Sequence, residues 1–144
     1  MKKVTVILAI LSMTLASGGC YSKWPASFSY TVAPRWTSIE IRDGVEYDRA
    51  WNTVFNLLAR DFDMVTVHKE EGYIQTGWLN TWGGLYQDNY KVRVTVKFAA
   101  NRRTLQMKTE AWAMDDGKWY IGTDSRLMAT LKTDLMGTVG RTTR

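Results

Sequence analysis

The sequence predicts an α+β fold: a single antiparallel β-sheet of about four to five strands with two amphipathic helices packed on one face. Three observations predict it. Residues 90–99 and 104–114 alternate apolar and polar side chains at the period of a half-buried strand. The stretch "DGVEYDRAWNTVFNLLAR" repeats its apolar residues at helical spacing. So does "TDSRLMATLKTDLMG" near the end of the chain. A sheet with one apolar face and helices with apolar stripes bury one another.

The elements follow in order. Residues 36–41 form a short strand. Asp43 with Glu46 three places on has the spacing of a capping box, and Tyr47, Ala50, Trp51, Val54, Leu57 and Leu58 make the stripe of the first helix. "FDMVTVHK" and "GYIQTGWL" flank Glu70, Glu71 and Gly72, so β-formers around a glycine turn predict a hairpin. Residues 80–89 are a loop carrying Trp82, Gly83, Gly84 and Tyr86.

The register of the long strand pair follows from its pattern. A loop at 100–103 sets Ala99 opposite Thr104. Val92, Val94, Val96 and Phe98 then face Ala111, Thr109, Met107 and Leu105. On the other face Arg93 meets Glu110 and Lys91 meets Trp112. A slip of one residue would set valines against lysine and glutamine. Asp115, Asp116 and Gly117 turn the chain into a short strand at 119–121. The second helix takes Asp124 as its cap, Leu127, Leu131 and Leu135 as its stripe and Gly137 as its stop.

Upstream, Met1, Lys2 and Lys3 precede a mostly apolar run, residues 4–15, and then Ala16, Ser17, Gly18 and Gly19. A basic start, a short apolar core and a small-residue exit predict a secretory signal peptide over residues 1–19. The run is shorter than the roughly 20 apolar residues of a spanning helix. Cys20 is the sole cysteine, so no internal disulfide is available. The stretch "LASGGC" resembles the lipobox of bacterial lipoproteins, with Gly18 and Gly19 in the two places before the cysteine and Ser17 where a leucine is usual. The resemblance implies cleavage before Cys20, acyl chains such as palmitate on its sulfur and a membrane anchor. The absence of aspartate at Tyr21 implies sorting to the outer membrane, facing the periplasm. The competing reading is ordinary cleavage after Gly18, which leaves a bare thiol.

Residues 20–34 hold the anchor and both prolines, and read as a tether reaching roughly 45 Å when extended. Residues 35–144 form one α+β domain. Setting aside Lys2 and Lys3, 17 basic side chains face 14 acidic ones, a surplus too mild for a nucleic-acid partner.

Ala50-Trp51, Phe62, Glu71-Gly72 and Trp78 mark a helix opening, an aromatic turn, an acidic-glycine hairpin and a strand ending in tryptophan. In that order they resemble the repeated unit of BamC-like envelope lipoproteins. The resemblance implies a helix-on-sheet domain that works by binding other envelope proteins, and it carries no catalytic residues.

Candidate chemistry is sparse. His68 and Glu71 offer two metal ligands in a solvated turn, which is short of a site, so no metal and no cofactor are expected. The pairs Asp61/Asp63, Glu70/Glu71 and Asp115/Asp116 flank turns rather than a cleft, so no catalytic residue is assigned and the chain is not expected to be an enzyme. Trp78, Trp82, Tyr86, Trp112 and Trp119 cluster in sequence around the long loop and the end of the sheet, and Lys91, Arg93 and Lys97 share one strand face. Together they are the candidate binding surface. The bland alternatives are a charged solvated face and aromatics folded onto their own loop. The expected function is a lipid-anchored, non-catalytic interaction module with another envelope protein as partner. The alternative is a periplasmic carrier or sensor of a small apolar ligand, a lipid or a glycan.

Overall fold

The computed structural model describes residues 24–141. In chain order it has β1 (Phe28–Tyr30), β2 (Thr37–Glu40), α1 (Tyr47–Ala59), β3 (Met64–His68), β4 (Tyr73–Thr76), β5 (Tyr90–Phe98), β6 (Thr104–Asp115), β7 (Lys118–Asp124) and α2 (Ser125–Thr138). All seven strands join one antiparallel sheet in the order β1-β7-β6-β5-β4-β3, with β2 also paired to β6. The expectation of four to five strands is therefore corrected: among the described residues the chain is mostly sheet, with seven strands and two helices.

The short strands have a common cause. β6 is twelve residues long, and β5 fills one of its edges from Phe98↔Leu105 to Tyr90↔Ala113. The opposite edge is long enough for two short strands end to end. β2 pairs with its first part, Thr37↔Met107 to Glu40↔Thr104, and β7 with its second, Ala111↔Gly122 to Asp115↔Lys118. β1 then adds outside β7 through Phe28↔Asp124 and Tyr30↔Gly122. The expected short strands at 36–41 and 119–121 are β2 and β7, while Phe28–Tyr30, in the stretch read as tether, becomes β1 because a longer neighbour offers unpaired backbone groups.

The register expected for β5 and β6 is the one observed, including Val94↔Thr109, Arg93↔Glu110 and Lys91↔Trp112. It places Val92, Val94, Val96, Phe98, Leu105, Met107, Ala111 and Ala113 on one face, all buried. Ala50, Trp51, Val54 and Leu58 of α1 and Leu127, Leu131 and Leu135 of α2 complete that core. Each valine, leucine, methionine or phenylalanine among them contributes about 1.5–3 kcal/mol when removed from water.

Two local details differ from expectation. The N-cap of α1 is Glu46, whose side chain makes no capping bond, so the Asp43–Glu46 capping box does not form. Instead the α1 start is held by its aromatics: Tyr47 meets the Phe98 ring edge-on at 5.2 Å, and its hydroxyl donates to the Lys69 carbonyl. In α2, Asp124 does cap, accepting from the Leu127 amide at 2.8 Å. Gly137, however, lies inside the helix, which runs to Thr138 with Val139 as its C-cap. The glycine required there is Gly140, where a Cβ would lie 2.7 Å from the Met136 Cα.

The proline-bearing stretch read as tether engages the sheet early. Trp24 Nε1 donates to the Met114 carbonyl at 3.2 Å, and its ring packs on Phe28 and Tyr120. Gly122 makes room for this: a Cβ there would lie 2.5 Å from Phe28 Cε2. Cys20 and the signal segment lie outside the described residues.

Candidate interaction surface

The helices cover one face of the sheet and leave the other to its own side chains. Alternation along β5 sends Lys91, Arg93, Thr95 and Lys97 to this face, and along β6 it sends Gln106, Lys108, Glu110 and Trp112. None of these strands offers an apolar cover, yet Thr95 is only 2% exposed and Glu110 9%. Long cationic stems and flat indole rings lie over the backbone and do the covering.

Their geometry is specific. The Lys91 ammonium lies 5.0 Å from the Trp78 ring, 5.0 Å from Trp112 and 4.5 Å from Trp119. Trp112 is itself 5.0 Å from Trp78 and 6.2 Å from Trp119, so three indoles surround one lysine. The Arg93 guanidinium stacks 4.5 Å over Trp78 and grips Glu110 with two bonds, 2.9 Å from Nε and 3.3 Å from Nη2. Lys108 reaches the same carboxylate at 3.7 Å. Beyond it a second cluster begins, with Lys97 4.9 Å and Lys108 5.2 Å from the Trp36 ring. Lys97 also lies 5.8 Å from Tyr73. Each cation–ring contact contributes about 0.5–2 kcal/mol, more as water is excluded.

Glu110 neutralises Arg93 and part of Lys108, while Lys91 and Lys97 meet only rings among the contacts described. The surface thus pairs flat apolar area with residual positive charge. Trp112 Nε1, at the centre of the layer, is buried without a hydrogen-bond partner among the described residues.

The structure divides the sequence-derived candidates. It gathers Trp78, Trp112, Trp119, Lys91 and Arg93 into one layer and sets Lys97 in the adjoining cluster. Trp82 goes elsewhere. It packs partly buried against the helix-side core, with the Arg126 guanidinium of α2 5.6 Å from its ring. Tyr86 stands 69% exposed in the loop, and a hydrogen bond with Asp88 raises its hydroxyl pKa. Trp36 is the member that sequence reasoning missed. Its signal was available: Ile39 and Ile41 point inward, so strand parity sends residues 36, 38 and 40 outward.

The arrangement contains rings and cations, with no nucleophile held beside a base. Among the described residues no group of three or more His, Cys, Asp or Glu is placed to hold a metal, and His68 lies exposed at the end of β3. No described helix is long and apolar enough to cross a membrane.

No protein-family model matches this chain, and no curated protein matches it in sequence.

Proposed function

We propose that this protein is a lipid-anchored envelope lipoprotein, held through Cys20 at the outer membrane and facing the periplasm. Its single domain binds another envelope protein through the helix-free sheet face and performs no catalysis of its own. The observation that carries the reading is the layer of Trp78, Trp112 and Trp119 around Lys91, extended by Arg93, Lys97 and Trp36 on a face that no helix covers. Tryptophan and arginine concentrate binding energy because they bury large area with few rotors. The uncompensated lysines suit a partner with carboxylates on its docking surface. The lipobox-like run ending at Cys20 and the likeness to BamC-like lipoproteins support the same reading.

A photo-crosslinking residue at Lys97 in intact envelopes should capture one acidic envelope protein, whereas the same residue at Asn52 on the exposed side of α1 should not. Capture of no protein from Lys97 sinks the interaction reading. Cys20→Ala should release the chain to the soluble periplasm, and persistence in the membrane fraction sinks the anchor.

One observation favours the carrier reading. A groove of about 540 Å³ runs between α2 and the segment leading into β2, lined by Thr37, Thr109, Met128 and Ala129. It lies where β6 is left between β2 and β7, and Thr109 Oγ1 is buried beside it without a partner among the described residues. Native mass spectrometry of the envelope-purified protein distinguishes the two readings by the presence or absence of a retained small molecule.

A further inference from the structure

We propose that the corner of the sheet formed by Tyr30, Val32, Trp119 and Ile121 docks on the bilayer surface and fixes the orientation of the domain. This rests on the lipid-anchor reading above. Among the described residues the large apolar side chains here are conspicuously exposed: Val32 79%, Tyr30 62%, Trp119 38% and Ile121 38%. They line a single groove of about 320 Å³ with Lys118 and Tyr120. The groove arises because β1 is only three residues long and leaves the outer edge of β7 at 118–120 uncovered.

The position of the segment that follows Cys20 names the occupant. Trp24 is pinned to the Met114 carbonyl and packs 5.3 Å from Tyr120, whose ring is also 6.2 Å from Tyr30. The polypeptide therefore enters the domain beside this corner. Three residues separate Cys20 from Trp24. Four Cα steps span at most about 14 Å, less than half the reach of a free tether through residue 34. An acylated Cys20 thus holds this corner within the depth of the headgroup layer. The opposite sheet edge, β3, is the width of a six-strand path away.

The side chains suit that place. Tyrosine and tryptophan prefer the bilayer interface, where one end of the ring system is apolar and the other hydrated. Lys118 shares its hairpin with Asp115 and Asp116, so the corner has no basic excess and its docking should not require anionic lipid. Acylation raises the local lipid concentration enough for a weak patch to be occupied continuously. Trp119 stands at the junction of this corner and the Lys91 layer, so docking here leaves the rest of that layer open to a partner.

The test uses the full chain, purified acylated from envelopes and reconstituted in vesicles of phosphatidylethanolamine and phosphatidylglycerol containing a shallow nitroxide lipid. An environment-sensitive dye is placed at Val32→Cys or, as control, at Val65→Cys on β3, which is 67% exposed. Quenching several-fold stronger at position 32 than at position 65, and retained when phosphatidylcholine replaces the anionic lipid, is the expected result. Equal or absent quenching with acyl chains confirmed by mass overturns the docking and leaves the anchor intact. A dye at position 32 that is shielded from water but not quenched overturns it in favour of a protein cover. A mass without acyl chains overturns the anchor and this inference together.

Discussion

The Tyr90 hydroxyl donates to Asp124 Oδ2 at 2.5 Å, joining the first residue of β5 to the cap of α2. The same carboxylate accepts from Ser27 at 2.8 Å and from the Leu127 amide at 2.8 Å. One buried acid therefore ties β5, the residue before β1 and a helix terminus. Burial, and then the bond to Asp124, push the Tyr90 phenol well above its ordinary value near 10.

A raised folded-state pKa gives stability that is complete below the unfolded value and lost as pH climbs toward the folded one. Stability should thus hold to about pH 10 and fall steadily beyond it. Tyr90→Phe should cost about 1.5–3 kcal/mol at neutral pH, the range for a hydrogen bond to a charged group, and flatten the alkaline decline. Urea titrations across pH 8–12 on both proteins measure this. An unchanged alkaline slope in the variant would show that Tyr90 is not the titrating group.

Lys91 is enclosed by three indoles, so its loss should register in fold stability as well as binding. Lys91→Met keeps a flexible apolar stem among the rings and removes the charge. It should destabilise by about 1 kcal/mol and shift the tryptophan emission spectrum, while Lys91→Arg should retain most of both. Identical unfolding curves for Lys91→Met and the parent protein would mean that the cation contributes nothing there.

Thr109 carries a buried hydroxyl without a hydrogen-bond partner among the described residues. Thr109→Val replaces it with a group of the same shape, so the variant should be more stable by about 1 kcal/mol. For a domain of this size that raises Tm by about 4 °C in a calorimetric scan. A lowered Tm would point to an interaction of the hydroxyl that this geometry does not contain.

Gly122 lets β1 lie close on β7. Gly122→Val would drive its side chain into the Ser29 carbonyl and the Phe28 ring, so β1 should lift from the sheet. The expected cost is about 1–3 kcal/mol, as for overpacking elsewhere. Hydrogen exchange should rise sharply at the Ser29 to Thr31 amides and stay unchanged at Val94. Continued protection of β1 in the variant counts against the contact.

Legibility in the sequence followed the range of each signal. The faces of β5 and β6 were readable because alternation is local and every valine votes for the same register. Asp124 as a cap was readable for the same reason: a carboxylate immediately before an apolar stripe satisfies amides within one turn. Asp43 and Glu46 had the right spacing too, but Glu46 itself occupies the cap position, which shifts the motif out of reach. Trp82 and Tyr86 looked like neighbours of Trp78 because they are close along the chain. A loop with Gly83 and Gly84 has no period from which to read direction, and it carries Trp82 to the helix side.

The sequence by itself determined the register of the central hairpin, the two amphipathic helices, and that Lys91, Arg93, Lys97 and Trp112 share a sheet face, because these depend on spacing between near neighbours. Only the tertiary structure decided that β2 and β7 divide one edge of β6, that β1 joins outside them, that three indoles close around Lys91, and that the chain enters beside Tyr30 and Val32. Those outcomes depend on which unpaired strand edge a short segment meets in space, and that information lies in the length of β6 relative to its partners rather than in any local run of residues.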